Sequence, residues 1–304
     1  MTARITLPHQ LDGRPFAVAE AVELGVGRKR LRGQDIERPF WGVRVPSGST
    51  TDIIGLAVAF ASRMPARAFY SHATAAQLWG IPLPLHLRGT TSLDVSVPEP
   101  LTRIGGRGIT SHRLGVSPDD VTIVHGLRAT SLQRTLLDLA GQLGDEEFLA
   151  AGDNVLWRRR PRRATSRSLA AALERFPGRR GLPRAMAMIP LMVDRSDSAP
   201  ESAFRLRFLR AGFPPMIANQ EIYNAAGRFI AMPDLQLPRF RMAFDYEGDH
   251  HRTDPDQWRK DLRRVPRLQD ENWHHTRISG DDLANSDELL ARTRRLLLER
   301  GWRP

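Results

Sequence analysis

The chain has 304 residues, 41% of them hydrophobic and 26% charged, with no cysteine and a formal net charge of +11. That length holds two domains or three small ones, each with its own core, and the composition excludes a disordered, collagen-like or coiled-coil chain. Without cysteine there are no disulfides, thiol nucleophiles or zinc fingers; with no apolar run long enough to span a bilayer and no signal-peptide core in MTARITLPHQ, the expected setting is the cytoplasm, away from membranes.

Residues 156–184 hold ten Arg and one Glu, whereas residues 199–304 hold 18 basic and 16 acidic side chains, so most of the excess charge lies in one stripe. A concentrated positive charge points to a polyanionic partner, and nucleic acid is the one expected here.

In chain order, Pro15 suits the first turn of a helix whose Val18, Ala21 and Val22 share a face, and Gly25 stops it. Val26 and Gly27 turn the chain into a second helix over 28–32, and residues 40–45 alternate as a strand. This order predicts a winged helix-turn-helix over 1–48, with Arg28, Lys29, Arg30 and Arg32 facing phosphates or a groove. Residues 49–155 read as a mixed α+β domain. Ser71 and Ser131 are expected to cap helices, the first ending at Gly80 and the second carrying Leu132, Leu136 and Leu139; residues 93–97 alternate as a strand. His72, His112 and His125 are too scattered to predict a ligand set.

Residues 156–198 read as an Arg-rich linker broken by Pro161, Pro177 and Pro183, with a short helix over 166–175. Arg158, Arg159, Arg160, Arg162 and Arg163 would draw DNA by releasing its condensed counterions. Residues 199–304 follow the order helix, three strands, helix, strand, helix. One hairpin turns at Ala226 and Gly227; a helix opens at Asp254 and Pro255; a strand covers 273–278 and a last helix about 287–300. The whole chain is therefore expected to be α+β.

If the next hairpin centres on Arg239 and Phe240, Asp234 sits directly opposite Asp245, with Glu247 on the same face. Like charges placed so are destabilising unless a cation is shared, and Mg²⁺ is the ion that carboxylate oxygens suit. Glu201 has a simpler reading beside this one, as the third residue of a capping box begun by Ser198.

Glu201, Pro233-Asp234, Asp245-Tyr-Glu247-Gly248-Asp249-His-His251, Trp258-Arg-Lys-Asp261 and Asn272-Trp273 through Arg277 to Asp282-Leu283 together resemble the very-short-patch-repair-endonuclease-like domain of unknown function 559, of the restriction-endonuclease-like PD-(D/E)XK superfamily. The resemblance covers the last third of the chain. It implies a restriction-endonuclease-like sheet flanked by helices over 199–304, with Glu201, Asp234, Asp245, Glu247 and His251 as catalytic residues and Asp234 and Asp245 as Mg²⁺ ligands. The group reads E-x-D-G-x-x-H where this chain has D-x-E-G-x-x-H, and the superfamily lysine is here Glu247, which leaves His251 as its substitute. Residues 1–155, through PFAVAEAVELGVGRKRL, RPFWGVRVP, FYSHATAAQLWGIPLP, LDVSVP and GLRATSLQRTLLDLA, resemble the AbiEi type of antitoxin from type IV toxin-antitoxin systems. That likeness implies promoter binding by the winged helix and a separate toxin as partner. Two readings follow: a Mg²⁺-dependent DNA endonuclease or nickase, or a non-catalytic DNA-binding regulator that keeps the endonuclease-like fold.

Overall fold

The computed structural model describes residues 6–48, 52–88, 92–175, 180–247 and 264–304 of an α+β protein. Two compact units divide it: Met1–Gln142 with Ala171–Leu182, and Leu143–Ala170 with Pro183–Pro304.

The first unit opens with β1 (Phe16–Ala17), α1 (Val18–Glu23), β2 (Ile36–Glu37) and β3 (Val43–Pro46), the strands forming an antiparallel sheet in the order β1-β3-β2. Residues 16 and 17, expected in the helix, pair instead with Arg44 and Val43. Ala21 turns inward with Leu11, Phe16, Val26 and Leu31, but Val22 is 52% exposed, so the apolar stripe is narrower than the sequence pattern suggested. The expected second helix shrinks to one 3-10 turn, Arg30–Arg32. Only Leu31 within it is buried, and four basic side chains in five residues leave no apolar face on which a longer helix could pack.

The rest of this unit surrounds a five-stranded sheet in the order β6-β5-β4-β8-β7. Its strands are β4 (Phe69–Tyr70), β5 (Leu93–Pro98), β6 (Ile109–Leu114), β7 (Val121–Val124) and β8 (Leu127–Thr130). Three helices accompany them: α2 (Ile53–Ala61), α3 (His72–Trp79) and α4 (Leu132–Leu139). Gly80 ends α3 at φ +67°, and the Ser131 hydroxyl caps α4 by accepting from the Arg134 amide at 3.4 Å, both as expected. Ser71 precedes α3 without capping it, because its hydroxyl bonds the Ser96 hydroxyl at 2.6 Å.

Helices α5 (Asp145–Leu156), α6 (Ser166–Glu174), α7 (Leu182–Met188) and α8 (Ala199–Arg210) follow in sequence. Residues 156–198 include the short helix expected over 166–175, here α6. They also contribute α7, and Ala164, Leu169, Ala185, Met188 and Ile189 are buried; Pro183 sits in the first turn of α7, where its missing N–H costs nothing. Helix α5 packs on α8 around a buried ion pair, Arg205 Nη2 to Asp153 Oδ2 at 2.7 Å, with the Ser202 hydroxyl and the Val193 amide also donating to Asp153.

The sheet of the second unit runs β14-β13-β12-β9, from β9 (Ile217–Ala218), β12 (Leu235–Leu237), β13 (Met242–Glu247) and β14 (His274–Ser279). The pairs up to β13 are antiparallel, while β13 and β14 are parallel and so need a crossover, which includes α9 (residues 264–270). Two short strands, β10 (Ile222–Tyr223) and β11 (Phe229–Ala231), form a separate hairpin about Gly227; β9, missed in the sequence, takes their place in the main sheet. Helices α10 (Gly280–Ala284) and α11 (Asp287–Glu299) complete the unit. Phe204, Phe208, Leu235, Phe244, Ile278, Leu297 and Trp302 form its core. Among the described residues no helix is long and apolar enough to cross a membrane.

Candidate functional site

The hairpin joining β12 to β13 has the register expected from its turn: Leu235 opposes Phe244 and Leu237 opposes Met242. Leu235, Met242 and Phe244 enter the core, so the alternate positions Asp234, Gln236, Ala243, Asp245 and Glu247 share the other face. Asp234 and Asp245 meet there. The Asp234 amide donates to Asp245 Oδ1 at 3.2 Å, and the Tyr246 amide donates to Asp234 Oδ2 at 2.7 Å. The parallel register brings His275 beside Ala243 and Arg277 beside Asp245 on the same face.

Asp245 is compensated by its neighbours. Arg264 Nη2 lies 2.7 Å from its Oδ2, and His275 Nε2 bonds the same oxygen. Glu247 pairs with Arg277 at 2.9 Å. Glu201, 5% exposed, accepts through Oε2 from the Asp197 amide at 3.0 Å and from Asn219 Nδ2 at 2.6 Å, while its own amide donates to the Ser198 hydroxyl at 3.4 Å. The cap is present as expected; the carboxylate reaches one residue further back than a capping box does. Asn219 takes a left-handed backbone, φ +45°, which a short amide side chain tolerates, and its amide donates to the Asp234 carbonyl at 3.0 Å.

These carboxylates differ in charge balance. Burial, then the Glu201 and Asp245 charges, push the Asp234 carboxyl up to about 7. Burial also raises Glu201. Asp245 already faces a guanidinium and an imidazole, with which an oxygen-seeking cation would have to compete for its carboxylate. An ion shared by Asp234 and Asp245 would therefore relieve the repulsion on Asp234 only by displacing Arg264 or His275 from Asp245. Among the described residues no three His, Asp or Glu side chains form a metal-holding group. His251 lies outside the described residues.

The expected DNA-binding residues meet different fates. Arg28, Lys29 and Arg32 are exposed and make no ion pair among the described residues. Arg30 is occupied: its two Nη atoms bond both oxygens of Asp35, at 3.0 and 2.8 Å. In the stripe, Arg159 pairs with Asp197 at 3.3 Å, Arg163 with Asp194 at 3.4 Å and Arg184 with Asp145 at 2.6 Å. Arg160 is half-buried against Asn154, and burial lowers its pKa; Arg158 has a buried Nη1. Arg162 is exposed and bears no ion pair among the described residues. Three of the ten stripe arginines are thus paired with carboxylates distant in sequence.

Two groupings escaped the sequence. His72 stacks on His112 with ring centroids 3.9 Å apart; Asp94 bonds His112 Nε2 at 2.8 Å, and burial lowers the His72 pKa. His125 stays apart, in the β7–β8 turn at φ +49°. Four further arginines, Arg38, Arg44, Arg63 and Arg107, line one cleft of about 1220 Å³ in the first unit. Arg44 has its pKa lowered by burial and then by the charges of Arg38 and Arg32, which joins the exposed basic turn to this cleft. The arginines of RPFWGVRVP were a visible signal, but Arg63 and Arg107 come from remote segments.

No protein-family model matches the chain, and no curated protein does. A crystal structure of the RV2827C protein from Mycobacterium tuberculosis is 14% identical to it, with a TM-score of 0.40 over 69% of this chain and 84% of that one.

Proposed function

We propose that the chain is a non-catalytic DNA-binding regulator of the antitoxin-like kind, and that the basic face of its first unit makes the contact. The observation that carries this reading is the gathering of Arg32, Arg38, Arg44, Arg63 and Arg107 without an acidic partner among the described residues. Like charges held together cost free energy in the isolated protein, and phosphates return it on binding. The compensation of Asp245 by Arg264 and His275 supports a structural role for the acids of the second unit. Fluorescence anisotropy with a labelled duplex and a salt titration tests the proposal. Arg32→Gln with Arg38→Gln should lower the salt slope by about 0.9 for each phosphate contact removed. Unchanged binding and slope would overturn it.

A second reading, a Mg²⁺-dependent nuclease with Asp234, Asp245 and Glu201 about the ion, is favoured by one observation: Asp234 lies buried against the charges of Glu201 and Asp245, a repulsion that a cation would relieve. These residues would hold the ion, which would neutralise charge on a phosphodiester; His251 is the remaining candidate proton donor. Plasmid nicking that requires Mg²⁺ and disappears in Asp234→Asn would establish this reading in place of the first.

A further inference from the structure

The turn between β2 and β3 reads Arg-Pro-Phe-Trp-Gly over residues 38–42. Phe40 is buried, packed edge-on against Phe60 at 5.2 Å, which anchors the turn. Its neighbour Trp41 is 80% exposed. Arg63 holds the indole in place: its Nη1 donates to the Trp41 carbonyl at 2.8 Å, and its guanidinium lies 4.7 Å from the ring centroid. The ring therefore has a cation against one face and solvent at the other. It borders the cleft whose walls are the apolar residues Ala17 and Val18 and whose charged groups include Arg38 and Arg107.

A matching ligand must bring a flat aromatic face and negative charge together. Duplex DNA supplies the charge but hides its base faces in the stack, and an acidic peptide carries its charges and any ring on separate flexible side chains, whereas every unpaired nucleotide holds a base and a phosphate together. We propose that this cleft binds an unpaired nucleotide of a single-stranded nucleic acid, its base stacked on Trp41 and its phosphates met by Arg38 and Arg107. The proposal rests on the reading of this face as the DNA-binding one, and adds that the strand is read where its bases are unstacked.

The test uses the full chain with a fluorescein-labelled thymidine 12-mer and, in parallel, a blunt 12-base-pair duplex. Trp41→Ala should weaken binding to the 12-mer by about 5- to 150-fold, the range that a base–aromatic stack is worth, while duplex affinity changes less than two-fold. Trp41→Phe, which keeps a ring, should recover most of the loss. Since the side chain lies in solvent, thermal melting of both variants should match the wild type. Equal 12-mer binding by wild type and Trp41→Ala overturns the proposal, as does an equal loss on both ligands, which would make Trp41 a duplex contact. Competition by polyglutamate as strong as that by unlabelled 12-mer overturns it in favour of an acidic protein partner. A wild type that binds the duplex and not the 12-mer sinks this inference and leaves the DNA-binding reading standing; one that binds neither removes both.

Discussion

Replacing Asp234 by asparagine should stabilise the protein, and only above the acid range. The folded carboxyl keeps its proton up to about pH 7, whereas an ordinary one releases it near 3.8. Between those values the native state binds more protons than the unfolded state, so stability falls as pH rises. At 1.36 kcal/mol for each pH unit, the penalty approaches about 4 kcal/mol; screening of a side chain not fully buried trims it to on the order of 2 to 4 kcal/mol. Asparagine keeps an oxygen to accept from the Tyr246 amide and carries no charge to repel Glu201 or Asp245. Wild type and Asp234→Asn should therefore unfold at similar urea concentrations at pH 4 and diverge through pH 5 to 7, with the variant the more stable at pH 8. The difference between the two curves isolates this group from others titrating in the same range. Parallel curves, or a variant that is less stable at pH 8, would refute the assignment of unrelieved repulsion at this site.

Arg30→Ala should lower stability by about 1 to 3 kcal/mol, since it breaks a charged two-pronged hydrogen bond to Asp35, whereas Arg32→Ala should leave the melting temperature within a degree and weaken duplex binding. Asp153→Ala strands the buried Arg205 guanidinium and should cost about 3 to 5 kcal/mol by denaturant titration. Gly181, at φ +87°, lies where an added Cβ would come within 2.3 Å of the Ala140 carbonyl carbon, so Gly181→Ala should destabilise by more than about 2 kcal/mol; a neutral result by thermal melting would mean that the backbone there yields.

What was legible in the sequence was what neighbouring residues decide. The pairing of Leu235 with Phe244 followed from alternation on both sides of a short turn, and that register alone brought Asp234 to Asp245. Ser131 and Gly80 announced their helix ends because caps are local. What was hidden depends on segments far apart. Arg159 and Arg163 read as free cations until Asp197 and Asp194 met them across more than 30 residues. Arg264 and His275 acquire their meaning only when the parallel crossover sets them on Asp245. Val22 shares the helix face of Val18 and Ala21 in sequence yet stays exposed, because a six-residue helix buries too narrow a stripe for three apolar positions to share.

The two units are interleaved along the chain, since residues Ala171–Leu182 return to the first after Leu143–Ala170 have entered the second. No single break separates them. A recombination event or a protease cut at position 142 would deprive the amino-terminal product of a stretch that contains Gly181, whose backbone packs against Ala140. A break just before Ala199 would instead take Asp153 away from Arg205 and leave a buried cation in the shorter piece. Recombination can thus exchange either half only together with the crossing segment, so the two units should be inherited as one cassette.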